Sequence, residues 1–421
     1  MDLIIYPNSL KGTIFVPPSK SYTHRAYIAA ALAGGGTIEN PLISEDTNTT
    51  LNVISDLGYV ITRNLNIVEI LKQDNKNKKV FYGFDSGSTI RFLLPIISLY
   101  HSQFIFKGST RLMERLDYLD LDALVGLRIK KKRNELCVKG VLNEQEYYLS
   151  GKRTSQLISG MIFTLPFLKG VRLHLNDITL ENPYLKMTLD ICNRFGVEYE
   201  VSNNTIIART SFVPTKVIIE GDYSHAANWL VASIFNKGLR VCGLNPNSIQ
   251  GDKNYFNLTE KLGIKYKYED DSFEFLSGEI GSTLIDINDT PDLGPILAAL
   301  ASVGKGRIEI IGTNKLQYKE SNRLKSTMEA INALGGNIIV NDERMVIEGK
   351  GQLKGGGVVD CASDHRIIMA LIAISSKIKH PFIIKGTKAI NKSYPDFFTH
   401  FKAVGGKAKR YEENNCKLSI K

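Results

Sequence analysis

One phrase is written six times along this 421-residue chain. A short polar opening runs into an apolar, Ala/Leu/Ile-rich helix at residues 19–32, 86–97, 154–165, 222–234, 292–301 and 364–374. Markers at Ser21, Gly87, Ser155, Ser224, Asp292 and Asp364 step by 66, 68, 69, 68 and 72 residues. A second helix-like segment stops at Gly58, Gly126, Gly196, Gly263, Gly335 and Gly405, with steps of 68, 70, 67, 72 and 70. Glycine enters the left-handed conformation that ends a helix without steric cost, so it is the expected stop signal. Two markers keeping one period restrict the chain to six copies of one supersecondary unit.

Each copy reads strand, helix, strand, helix, hairpin. A β-rich stretch follows the first helix at 36–43, 103–107, 171–175, 239–244, 307–311 and 382–384. A hairpin follows the second, clearest around Asn203-Asn204 and around Asp342-Glu343. Asn tolerates the positive φ such turns need. The period is too long for a solenoid, and 421 residues suit two domains. Six βαβαββ units therefore pack as two groups of three, each burying its helices behind shared sheets. The strand at 3–6 precedes the first unit and is expected to complete the last. The predicted lobes are 12–221, and 1–11 with 222–421, joined by crossings near 9–13 and 220–223. Two crossing strands predict a hinge and a cleft.

Composition narrows the class. Hydrophobic residues at 43% and charged residues at 23% are globular values. No apolar run reaches the ~18 residues of a membrane span, and the start lacks a basic signal region. Cys137, Cys192, Cys242, Cys361 and Cys416 are dispersed, which predicts free thiols in a reducing cytoplasm rather than a disulfide or zinc framework. The charge of +10 fits anionic partners, and part of it lies in basic runs at 76–79 and 130–133. Without interleaved aromatics these runs read as solvated faces, not a nucleic-acid surface.

The polar openings hold the candidate chemistry, because helix N-termini attract anions. Ser19 or Ser21 can cap the first, and Lys20 and Arg25 bring two cations to it. The second, 85–91, combines small residues with Gly87, where backbone can approach a ligand closely. In the third, Thr154, Ser155 and Gln156 offer neutral donors suited to a polyol or carboxylate, or simply a cap. Asp292 reads equally as a cap or as a general base. Lys319 and Arg323 are spaced i, i+4, as on one helical face, with Glu320 beside them. Asp364-His365-Arg366 opens the last repeated helix.

These residues resemble the signatures of the 5-enolpyruvylshikimate-3-phosphate (EPSP) synthase family. The resemblance rests on 18–26, 85–91, Arg111-Leu112-Met113-Glu114-Arg115, 154–156, Pro291-Asp292, 319–323, 364–366 and Asn391-Lys392-Ser393-Tyr394-Pro395-Asp396, in order along nearly the whole chain. It implies a two-lobed inside-out α/β barrel, each lobe of three βαβαββ units, joined by two crossover strands. It implies a cytoplasmic shikimate-pathway enzyme, a monomer without metal or organic cofactor, that binds neither nucleic acid nor membrane. Its substrates would be phosphoenolpyruvate and shikimate 3-phosphate, its site a glyphosate-sensitive type. Carried over by position, Lys20, Ser21, Arg25, Thr154, Ser155, Gln156, Asp292 and Lys319 would contact shikimate 3-phosphate. Lys20, Gly87, Arg115, Gln156, Arg323, Arg366 and Lys392 would surround phosphoenolpyruvate. Asp292 and Glu320 would be the proton-transfer carboxylates, with either Lys20 or Glu320 protonating C3. Lys20, Lys392 and His365 would aid phosphate departure.

The chain departs from the family pattern at several places. His24 stands for the usual Asn, Glu181 for a common Ser, Lys315 for a frequent Asn, Gln317 for a frequent Arg and Asn322 for a frequent Asp. Glu181 would repel a substrate phosphate unless Lys315 or another cation compensates. The related transferase acting on UDP-N-acetylglucosamine uses a loop cysteine, whereas Cys137 reads as a strand residue.

Overall fold

All six repeated openings become helices, and their residues explain where each begins. The helices are Lys20–Leu32, Gly87–Ile97, Gln156–Thr164, Tyr223–Phe235, Gly294–Ser302 and His365–Ala373. Ser19, Ser86, Asp222 and Asp364 accept a backbone N–H of the first turn, satisfying one of the donors a helix start leaves open. Lys20–Leu32 and Gly294–Ser302 are buried on nearly every side, which marks core helices rather than surface ones. The six stop glycines have φ between 84° and 102°, the left-handed region the sequence requires of them.

The computed structural model describes residues 1–73, 78–116, 121–341 and 343–412. Lys76 of the first basic run, Asp342 of a predicted turn and Cys416 lie outside the described residues. Among the described residues six four-stranded sheets share one order. In the sheet of Val80–Phe84, Gln103–Gly108, Glu135–Gly140 and Leu127–Lys132, the first pair is parallel and a hairpin follows antiparallel. Asn203 and Asn204 turn another hairpin at φ 48° and 58°. Cys137 lies within Glu135–Gly140.

Three sheets borrow a strand from elsewhere in the chain. Thr215–Ile218 runs parallel to Gly35–Glu39 and leads the first sheet. Gly12–Phe15 leads the fourth, parallel to Leu239–Cys242. Leu3–Tyr6 lies between Phe382–Lys385 and Lys407–Arg410, antiparallel to both.

The chain divides into two compact units. One comprises Met1–Pro17, Gly221–Ser248 and Asp252–Lys421; the other comprises Pro18–Glu220 and Ile249–Gly251. Residues 12–17 and Gly221, expected in the first lobe, fall in the other unit, the former because Gly12–Phe15 is hydrogen-bonded into its sheet, while Ile249–Gly251, expected in the second lobe, fall with Pro18–Glu220. Each unit has its own apolar core, one around Trp229, Leu297 and Ile368, the other around Ile28, Leu93 and Ile158. Close approach of helices in the second core needs Gly160, where a Cβ would stand 2.7 Å from the Arg91 carbonyl oxygen. Among the described residues no helix is long and apolar enough to cross a membrane.

Candidate functional site

In the unit built on Pro18–Glu220, Ser19 caps the Lys20–Leu32 helix and its Oγ donates to Gln250 Oε1 at 3.2 Å. Lys20 Nζ pairs with Asp46 Oδ2 at 3.0 Å. Arg25 is buried: it donates to Thr188 Oγ1 at 2.8 Å and to the Ser21 and Tyr184 carbonyls at 2.9 and 3.1 Å. Its guanidinium also lies 4.9 Å over the Phe92 ring. Burial, opposed by Tyr22, brings its pKa down to about 10. Arg25 thus locks the first helix against its neighbours. Ser21 presents its backbone carbonyl to that lock.

The second and third openings meet through a residue the sequence reading passed over. Arg91 Nη1 donates to Gln156 Oε1 at 2.8 Å, and its Nη2 to the Arg115 carbonyl at 3.1 Å. Gln156 Nε2 in turn donates to Ser88 Oγ at 2.9 Å. A Cβ on Gly87 would lie 3.1 Å from both Arg115 Nη2 and Arg91 Nη1. The available signal was the i, i+4 spacing from Gly87 to Arg91. Thr154 Oγ1 accepts the Gln156 N–H at 3.3 Å, while Ser155, at the cap position, makes no side-chain cap bond.

His24 is buried and held neutral: burial, then Lys20 and Arg25, push its pKa well below the usual histidine range. Its Nδ1 meets Thr50 Oγ1 at 2.8 Å, and Thr50, Thr89 and Ser86 continue a hydroxyl chain with 2.7 Å links. This chain ties the first helix to the cap of the second. Glu181 is exposed and pairs with Lys186; Lys315 donates to the Asn288 carbonyl instead.

In the other unit the residues converge on one carboxylate. Asp292 Oδ1 receives Arg323 Nη1 at 2.9 Å and Lys319 Nζ at 3.1 Å; its Oδ2 receives Arg366 Nη2 at 2.8 Å. Asp292 makes no cap bond, lying in the Pro291–Leu293 turn. Burial alone would raise its pKa, but Arg366, Lys319 and Arg323 hold it well below the ordinary carboxylate range. Arg323 is fully buried and also grips Asp364 at 2.9 and 3.2 Å, and Glu320. Although burial disfavours its charge, Asp364, Glu320 and Asp292 raise its pKa.

Lys319 and Arg323 do not share a helical face as the spacing suggested. Asn322 caps the Arg323–Ala333 helix by accepting the Lys325 N–H, so 319–322 approach outside it. Asp364 accepts the Arg366 N–H and the Ser321 hydroxyl. His365 is buried at the first position of its helix, and Lys392 is half-buried at the end of the Thr387–Lys392 turn.

Asp252 joins this group without having been anticipated. It is buried, accepts the Ser224 hydroxyl, and has its Oδ1 without a hydrogen-bond partner. Burial, then Asp292, raise its pKa to about 6, against the pull of Arg366 and Ser224. Because this is above the ~3.9 of an unfolded Asp, the group favours folding below about pH 4 and loses that contribution up to pH 6. Asp252→Asn cannot ionise. Relative to wild type it should gain on the order of 1–3 kcal/mol of stability between pH 4 and pH 7, read by urea unfolding. An unchanged difference would remove the assignment.

The comparisons agree with one another. A profile of the EPSP synthase family (3-phosphoshikimate 1-carboxyvinyltransferase) matches residues 5–401. A 3-phosphoshikimate 1-carboxyvinyltransferase of Clostridium kluyveri is 35% identical over 413 residues, covering 96% of this chain and 97% of that protein. One of Clostridium botulinum is 37% identical over 420 residues, with 96% and 97% covered. Among solved structures, an EPSP synthase of Acinetobacter baumannii superposes with TM-score 0.78 at 20% identity, covering 97% of this chain and all of that one. That likeness speaks for the mixed α/β fold; the sequence relatives and the profile speak for descent. The chain belongs to the EPSP synthase family.

Proposed function

We propose that this protein transfers the enolpyruvyl group of phosphoenolpyruvate to the 5-hydroxyl of shikimate 3-phosphate, releasing phosphate. The observation that carries the reading is the meeting of Lys319, Arg323 and Arg366 on Asp292, in a chain of this family. Both substrates are polyanions, and a cluster of cations is what recognises phosphate and carboxylate. Shikimate 3-phosphate would be held by Lys20, Ser21, Thr154, Ser155, Gln156, Asp292 and Lys319, with Arg25 bracing the first opening. Phosphoenolpyruvate would be met by Lys20, Gly87, Arg115, Gln156, Arg366 and Lys392, with Arg323 as the strut behind.

The hydroxyl oxygen bonds to C2 of phosphoenolpyruvate while its proton passes to Asp292 and the C2=C3 pair takes a proton at C3. Glu320, bound to Arg323, is kept as an acceptor. Lys20, an ammonium paired with Asp46, is therefore the better donor to C3. The tetrahedral adduct then returns a C3 proton to Lys20, so that C2=C3 re-forms as the C2–O bond to phosphate breaks. The hydroxyl proton on Asp292 passes to the departing phosphate, whose charge is met by Lys20, Lys392 and His365. The finer architecture we infer is the inside-out α/β barrel of two three-unit lobes. The protein would work as a cytoplasmic monomer without metal or organic cofactor.

The test is phosphate release from phosphoenolpyruvate with shikimate 3-phosphate, set against UDP-N-acetylglucosamine as acceptor. Release only with the sugar nucleotide, or with neither, would end the proposal. Gly87→Ala adds a second check. Its methyl must move the Arg115 and Arg91 guanidinium groups by a few tenths of an ångström. KM for phosphoenolpyruvate should rise several-fold and glyphosate inhibition weaken more, with KM for shikimate 3-phosphate unchanged. Equal weakening of both would refute the crowding.

A further inference from the structure

The three cations on Asp292 are not equivalent. Arg323 is fixed: its side chain is 1% exposed, and it also neutralises Asp364, which is 0% exposed. Withdrawing it would strand a buried carboxylate. Lys319 is 25% exposed, sits outside any helix and, through burial, has a lowered pKa. Arg366 holds Asp292 by Nη2 alone, at 2.8 Å. These two can exchange one anion for another.

A carboxylate gripped on both oxygens is a weak base. Each unit by which its pKa falls below the usual value lowers its basicity about tenfold. Arg323, Lys319 and Arg366 hold Asp292 in that condition, although the reaction asks it to accept a hydroxyl proton. We propose that Asp292 is suppressed as a base by its own cations, and is released only when substrate phosphate and carboxylate oxygens draw Lys319 and Arg366 away from it. The inference rests on the enolpyruvyl-transfer reading above. Arg323 would stay as the single donor that orients Asp292 Oδ1, leaving Oδ2 for the hydroxyl.

Charges on every neighbouring element act in the same exchange. Glu320 and Asp252 raise the Asp292 pKa or are raised with it, Asp364 holds Arg323, and Asp222 faces Arg366. Asp222 is itself occupied by His225, which, with Arg366, keeps its pKa at about 2 in spite of burial. Removal of Lys319 and Arg366 therefore leaves Asp292 facing Glu320 and Asp252 with only Arg323 in compensation. The substrates' negative charges add to the same upward push. The device keeps Asp292 from taking a proton from water before the acceptor hydroxyl is in place.

The experiment is a carbon-13 NMR titration of carboxyl-labelled aspartate in the full-length protein, with the Asp292 signal assigned by its loss in Asp292→Asn. The titration midpoint should rise by about one pH unit or more, a tenfold change in acidity, on saturation with shikimate 3-phosphate, which by the assignments above draws off Lys319. Lys319→Met should raise the midpoint without ligand, by removing one cation permanently. A midpoint that stays or falls on saturation overturns the inference, even if Lys319→Met raises it. Failure of shikimate 3-phosphate to bind, read by calorimetry, would instead remove the functional reading and this inference with it.

Discussion

Turnover should fall about 10²–10⁴-fold in Asp292→Asn, the range expected for loss of a general base. Asparagine keeps one acceptor oxygen for Arg323 and Lys319, while its amide NH2 can no longer accept from Arg366, so two of the three contacts should persist. The KM values should change far less than kcat, since the lost interaction is made in the transition state. Removing a negative charge beside three cations can even tighten anion binding. Steady-state phosphate release over both substrates measures the division. An effect confined to KM would reduce Asp292 to a holder of cations and withdraw its assignment as base.

Loss of stability should be largest at Arg323. Replacing it by methionine leaves Asp364 without its two guanidinium bonds and takes a partner from Asp292 and Glu320. Breaking a buried pair by removing one member costs about 3–5 kcal/mol, because the remaining charge stays buried. A thermal midpoint lower by roughly 6–20 °C would follow for a domain of this size. A loss under about 1 kcal/mol at neutral pH would show that Arg323 is not the strut.

Much of the local structure was legible because its causes are local. Ser19, Ser86, Asp222 and Asp364 cap helices by bonds to residues two or three positions ahead. Gly58 and its five counterparts end helix-like segments by their own backbone freedom. Hairpins around Asn203-Asn204 follow from the same kind of short-range chemistry. Family motifs brought forward Asp292, Lys319, Arg323 and Arg366, which do converge. What was misread has an identifiable reason. The i, i+4 spacing of Lys319 and Arg323 implied a shared helical face, but Asn322 starts the helix after Lys319.

From its own residues the chain determined six repeated units, their helix starts and stops, and a wealth of cations at the openings. Tertiary structure alone decided who neutralises whom. Arg366 reaches Asp292 across 74 residues, Arg323 reaches Asp364 across 41, and Lys20 reaches Asp46 across 26. It also gave Arg25 a bracing role, brought Arg91 between two openings, and buried Asp252 beside Asp292. Caps and turns are set by the geometry of a few consecutive peptide units, which sequence order specifies. Pairing between distant charges depends on how whole helices pack, and on which groups that packing removes from water.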